Sequence, residues 1–364
     1  MEAQHIVLPP KPGEPITGHS LQTFFPGYFA LVMATGIVSV GAFLYNMKQV
    51  ANIMLVANVI FYILLWAVLV LRVIKYPADV WKDISSSSRG VTFLTIVAAN
   101  NVLGNQFALM TPYKDVAIFL WEFGIVLWVL ITYTFFVVLT AKEPKQGVEA
   151  SLSGAWLLIV VATESVAVLG AIIAGEMVHK DVIIFISFCA FLIGAMHYMV
   201  FISLIIYRWL FISMKAELLT PPYWINMGAV AITTLAGSRL LMYSHHYEWI
   251  SGIQYFLPGL TVFFWAFATW WIPILFLLPI WRHIIQKVPV KYDPQYWSLV
   301  FPAGMYTVAT FNFSKALNLP FILPISNIFI CFSAIAWVIV FIGMMRQLIG
   351  FFISRKEILN ISKT

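Results

Sequence analysis

The sequence predicts an all-α membrane protein: ten transmembrane helices paired into five hairpins, with the odd helices lining a central pore. Three observations predict it. Of the 364 residues, 62% are apolar and 10% charged, whereas soluble domains carry about 25% charged residues. Ten apolar runs of roughly 20 residues follow one another, each long enough to cross a bilayer. The runs also recur at a near-constant interval, which marks repeated units.

The composition excludes several classes. So little charge cannot cover the surface of a soluble enzyme, and a disordered chain needs the opposite balance. The net charge of +6 comes from basic residues that are spread along the chain, so no nucleic-acid partner is expected. Cys189 and Cys331 sit inside apolar runs, which argues against a disulfide framework.

The spans run over about 24–45, 50–73, 90–110, 116–139, 154–174, 182–207, 223–243, 257–280, 297–317 and 325–346. The runs lack the alternation of barrel strands, and only helices or closed barrels satisfy their backbone in lipid. Segment 1–23 is polar and Pro-rich. It precedes a run too long for a signal peptide and is read as a cytoplasmic N-terminal segment. The transmembrane domain covers 24–349, and 350–364 forms a basic cytoplasmic tail.

Orientation follows from Lys and Arg. The termini and the loops after spans 2, 4, 6 and 8 hold 16 of the 21 basic residues. The other side holds Lys48, Lys114, Lys180, Arg239 and Lys315. Both termini are therefore expected in the cytoplasm, with the protein in the cell membrane. Trp81, Trp156, Trp209, Trp224, Trp281 and Trp297 fall near the cytoplasmic ends as an anchoring belt.

Odd spans begin near 24, 90, 154, 223 and 297, so the unit is a helical hairpin. The odd spans hold 19 Ser, Thr, Asn and Gln residues and ten Gly, against 11 and four in the even spans. Small and polar side chains belong on buried faces or water-lined cavities, while lipid-facing helices need only bulky apolar residues. The odd spans are thus expected inside and the even spans outside.

Several segments carry a family likeness. Span 1 reads Phe25-Pro26-Gly27-Tyr28-Phe29 and then Met33-Ala34-Thr35-Gly36; span 5 reads Trp156-Leu157-Leu158 and then Ala162-Thr163. Span 6 carries Phe191 to Gly194, Tyr198 and Arg208. Pro222-Tyr223-Trp224-Ile225 introduces span 7, and span 9 reads Tyr296-Trp297-Ser298 and then Phe301-Pro302. In this order the pieces resemble the tellurite-resistance/dicarboxylate transporter family, which includes fungal malate and sulfite carriers and plant slow anion channels. Two departures stand out: Ala34 occupies a position usually Gly, and spans 3, 5 and 7 lack proline. The resemblance implies a pseudo-five-fold pore, a homotrimer in the lipid bilayer and transport of small anions. Those anions include C4-dicarboxylates such as malate, oxyanions such as tellurite or sulfite, and halide or nitrate. It also implies that a phenylalanine of span 9, here Phe301, plugs the pore.

Candidate site residues follow. Thr35, Gly36, Ser39, Asn100, Asn101, Thr163, Glu164, Thr233, Thr234 and Thr307 lie at middle depths of odd spans and are expected to line the pore, with Asn105 and Thr310 as further polar groups near these depths. Hydroxyls and amides replace part of an anion's hydration without holding it tightly; the competing role is hydrogen bonding between helices. Glu164 is unusual, because a carboxylate at mid-membrane must be paired, protonated or wet. Pairing with Arg239, proton-coupled carriage and an unrelated packing role are the three expectations. Pro302 withdraws a backbone donor and loosens the helix beside Phe301, so an apolar ring there can block ions by excluding water; Phe311 is the rival gate. His197 is expected to bond a neighbouring helix or sense pH, and His245-His246 to sit in a solvated turn. No catalytic residue, metal cluster or cofactor motif is found, and an embedded enzyme would need clustered ionisable groups that this sequence lacks.

Overall fold

The structure is a computed structural model and describes residues 21–145, 147–243 and 255–361. Among these residues the regular structure is helical, with no strand. Ten long helices follow in order: α1 (Ala30–Leu44), α2 (Lys48–Lys75), α3 (Leu94–Met110), α4 (Lys114–Ala141) and α5 (Leu158–Ile173). Then come α6 (Lys180–Phe211), α7 (Ile225–Tyr243), α8 (Phe256–Ile280), α9 (Trp297–Ala316) and α10 (Leu323–Ile361). Each overlaps one expected span. Nine of the described helices, counting their flanking turns, are long and apolar enough to cross a membrane. The other is α9, which Thr307, Thr310, Asn312 and Ser314 make more polar. The helix α10 continues to Ile361, beyond the expected span limit, and a π-helical turn at Trp281–Ile285 extends α8.

The odd helices begin alike. Tight 3-10 turns at Pro26–Phe29, Gly90–Phe93, Gly154–Leu157, Pro221–Trp224 and Pro294–Tyr296 precede α1, α3, α5, α7 and α9. Three of them open with proline, which fits a first turn because the missing N–H has no intrahelical partner there.

Packing separates the two sets. α1 packs on α3, α3 on α5, α5 on α7, α7 on α9 and α9 on α1. Each even helix packs on its preceding odd helix and also touches the odd helix of the next hairpin. The most hydropathic stretches of α1, α3, α5 and α7 are 83–94% buried, against 17–44% for the even helices. Ile53, Leu130, Leu277 and Ile339 of even helices are among many large apolar side chains left exposed. In water such a surface would be prohibitive; in lipid it is the solvated face.

The loops at the 3-10 end are tied down by arginines. Asp83 takes Arg72 at 2.7 Å and Arg89 at 2.7 Å, and Arg89 also lies over the Phe25 ring. Arg208 donates to the Leu152 carbonyl and the Tyr223 hydroxyl, and Arg282 to the Leu219 carbonyl. Several basic residues counted for orientation are therefore structural clamps as well.

Candidate pore and its lining

The residues expected to line the pore engage neighbouring helices or their own backbone. Thr35 Oγ1 accepts from Trp337 Nε1 of α10. A Cβ added at Gly36 would meet Asn58 of α2 and Val102 of α3. Ser39 donates to the Ala51 carbonyl of α2. Asn100 accepts from Tyr62 and donates to the Leu120 carbonyl, while Asn101 donates to Ser165. Thr163 accepts from Trp128. Thr233, Thr234 and Thr307 donate to carbonyls of their own helices. The hydroxyls and amides among these residues bond the outer helices, the next inner helix or their own backbone. The physical reason is that indoles and phenols of lipid-facing helices need acceptors, and lipid supplies none.

A repeat governs these bonds. Tyr62, Trp128, Trp265 and Trp337 each reach from an even helix to the next odd helix, bonding Asn100, Thr163, Thr310 and Thr35 at 2.8, 2.9, 3.1 and 3.0 Å. With Gly194 of α6 included, the five positions are spaced by 66, 66, 71 and 72 residues. Gly194 is therefore the fifth member, and it has no ring. The carboxyl of Glu164 fills the gap: a Cβ at Gly194 would lie 2.6 Å from Glu164 Cδ. Thr233 of α7 lies beside the same carboxyl, although its hydroxyl donates to the Ala229 carbonyl. Glu164 is fully buried, and among the described residues neither carboxylate oxygen has a hydrogen-bond partner. It forms no ion pair with Arg239 among the described residues, so the expected charge pair is not made. Glu164 points behind the inner helices, toward α6, whereas Arg239 lies on the axis.

That axis is marked by a narrow cavity to which each odd helix contributes. Its wall includes Val40 of α1, Asn105 and Leu109 of α3, Ile172 of α5, Arg239 of α7 and Val308 of α9. Only about 10 Å³ is open to the centre of a water, room for about one molecule. None of the ten expected pore-lining positions borders it. The sequence reading named Asn105 as a polar group of span 3 and Arg239 as a partner for Glu164 but did not bring the two together; the available signal was that both sit near the C-terminal ends of odd spans.

Phe301 is 2% exposed. It precedes Val308 by two helical turns and so shares its face of α9. The 3-10 turn at Pro294–Tyr296 starts the helical path earlier than the expected span limit, which places Phe301 deeper than the sequence estimate. Asp293 caps this turn by accepting from Gln295 N at 2.8 Å; burial raises its carboxyl above the ordinary aspartate range, and hydrogen bonding from Gln295 and then the charge of Arg282 partly offset this. Phe311 packs edge-on against Tyr45 with Lys315 over its ring, so it has a peripheral partner set. His197 stacks between Phe136 and Phe201, and its Nδ1 has no hydrogen-bond partner among the described residues; the expected bond to a neighbouring helix is not made. His245-His246 lies outside the described residues. No group of three or more metal-ligating side chains occurs among the described residues, and both cysteines are free.

Comparison with known proteins gives a consistent picture. The voltage-dependent anion channel family (SLAC1) matches residues 23–345. A Mycobacterium tuberculosis protein named an uncharacterized membrane protein is 38% identical over 148 residues, 40% of this chain and 74% of the relative. Two Methanocaldococcus jannaschii proteins named uncharacterized transporters are 20% and 22% identical over 298 residues, each 80% of this chain and 84% and 83% of the relatives.

Proposed function

The chain belongs to the voltage-dependent anion channel family, and from that premise we propose that it passes small anions across a membrane along the axis where α1, α3, α5, α7 and α9 meet. In this reading all ten long helices span the bilayer as five hairpins in a pseudo-five-fold ring. Both termini are cytoplasmic, the membrane is the cell membrane, and the family likeness adds a homotrimer. The observation that carries the reading is the cavity bordered by all five odd helices, which has an arginine in its wall.

The lining differs from the polar one expected from sequence. Ile37, Val40, Val102, Val168, Leu235 and Val308 make the wall largely aliphatic. A narrow aliphatic bore stays dry and stops ions without any charge. Phe301 is the gate in this scheme, two turns from Val308 on the same face and beside the helix-loosening Pro302. Proteoliposome flux with chloride, nitrate, malate, sulfite and tellurite tests the proposal. Phe301→Ala should raise anion flux well above the parent, and Phe311→Ala should leave it near the parent level. Unchanged flux in Phe301→Ala, or opening by Phe311→Ala alone, removes Phe301 as the gate.

A second reading, proton-coupled carriage, is favoured by one observation: the buried Glu164 carboxyl has no hydrogen-bond partner among the described residues. In that case a pH gradient drives uptake, and Glu164→Gln abolishes the drive while leaving passive flux. Equal flux with and without the gradient in the parent rejects it.

A further inference from the structure

The cavity on the axis holds a feature that gating alone does not use. In an otherwise aliphatic wall it has two polar groups, the Asn105 amide and the Arg239 guanidinium. Asn105 is 5% exposed, and its Oδ1 is buried without a hydrogen-bond partner among the described residues. Arg239 Nε is likewise buried and unpartnered. Buried polar atoms are nearly always satisfied, so the unpartnered Arg239 Nε–H points to an acceptor in the cavity. Asn105 Oδ1 is itself an acceptor and calls for a donor, so an anion meets Asn105 only through its Nδ2 amide.

We propose that Asn105 and Arg239 form a binding site for one small monovalent anion, a refinement that rests on the anion-pore reading above. Arginine supplies a permanent positive charge and several N–H donors in a fixed fork, and the asparagine amide supplies further donors. An anion leaving water for an aliphatic bore loses its hydration and needs such a charge to replace it. The cavity lies near the C-terminal ends of α3, α5 and α7, since Leu109, Ile172 and Arg239 are within about one turn of those ends. Helix C-termini carry partial negative charge. An anion approaching from this end therefore meets repulsion that Arg239 offsets.

The charge count sets the ligand class. Among the described residues Arg239 is the one ionisable side chain bordering this cavity, and the Glu164 carboxyl of α5 is turned toward Gly194 of α6. One positive charge in a space of about one water suits a monovalent anion of the size of chloride. A dicarboxylate would press its second charge against aliphatic wall.

Two measurements on the purified full chain test this. The first is thermal stability in detergent, with sodium chloride against sodium gluconate at equal ionic strength. The parent and Arg239→Lys should be stabilised by chloride, Asn105→Leu should need about tenfold more chloride, and Arg239→Gln should lose the shift. The second is the reversal potential under a potassium chloride gradient in the Phe301→Ala background. Adding Arg239→Gln should lower chloride-over-potassium permeability about tenfold, whereas Arg239→Lys should keep it. If chloride stabilises Arg239→Gln as it does the parent, or if both variants keep the parental permeability ratio, the site is wrong. If Arg239→Gln does not fold, undiminished chloride response in Asn105→Leu overturns the proposal. Chloride binding without conduction in any variant sinks the pore reading instead, so the two failures are distinguishable.

Discussion

Four of the five contacts between an even helix and the next odd helix are built one way, and the contact from α6 to α7 is built another. Tyr62, Trp128, Trp265 and Trp337 each place a ring between helices and donate to a polar side chain on the far one. At the matching position α6 has Gly194, and the space is taken by the Glu164 carboxyl from α5. The four aromatic contacts combine a large apolar area with a satisfied donor. The fifth combines a glycine with a buried acid whose oxygens have no partner among the described residues. A repeat that keeps one solution four times and abandons it once identifies the place where packing yielded to another requirement, and buried ionisable groups in membranes are the usual mark of function.

Breaking a standard contact should cost most. Trp128→Ala removes a half-buried indole and one of the two hydrogen bonds of Thr163, whose hydroxyl still donates to the Ile159 carbonyl; the expected loss is about 3–5 kcal/mol, read as a lower thermal midpoint in detergent. Forcing the standard solution on the fifth contact comes next. Gly194→Trp drives an indole into the Glu164 carboxyl, and overpacking of this kind costs about 1–3 kcal/mol. Adding Glu164→Ala to Gly194→Trp should return most of that loss by vacating the space. A double variant no better than Gly194→Trp alone would show that Glu164 does not occupy the missing ring's place.

Smaller effects sharpen the comparison. Trp128→Phe keeps a ring and drops the indole donor to Thr163, so a loss of about 1 kcal/mol or less is expected, in line with hydrogen bonds between membrane helices. Glu164→Gln nearly preserves shape and should change stability least, by about 0.5 kcal/mol or less. A large loss there would mean that the carboxyl makes a contact the geometry does not show.

Much of the layering was legible in the sequence because it rests on composition. Apolar runs of bilayer length located the helices to within a few residues for most elements, as for α3 and α5 with their leading turns. The surplus of glycine and hydroxyl residues marked the odd helices as the buried set, and their burial agrees. The candidate site was less legible. Polar residues at mid-depth were assigned to the axis because anions need donors. Helix periodicity alone does not say which side of an enclosed helix faces the axis, because a helix buried all round is apolar all round and shows no single wet face.

Sequence by itself therefore determined that the chain lives in a membrane, where the long helices of the described residues lie, and which of them are enclosed. Each follows from a local property: length, hydropathy or the density of small residues. Tertiary structure decided where side chains point. Thr35, Asn100 and Thr163 turn toward neighbouring helices because an indole, phenol or amide there needs a partner that lipid does not offer. Val308, Leu235 and Ile172 turn toward the axis, beside Asn105 and Arg239. Glu164 and Arg239, both on odd helices, part ways because a glycine on α6 opens space for the acid behind the inner set. Only the packed arrangement of three helices creates that space, and no single stretch of sequence contains it.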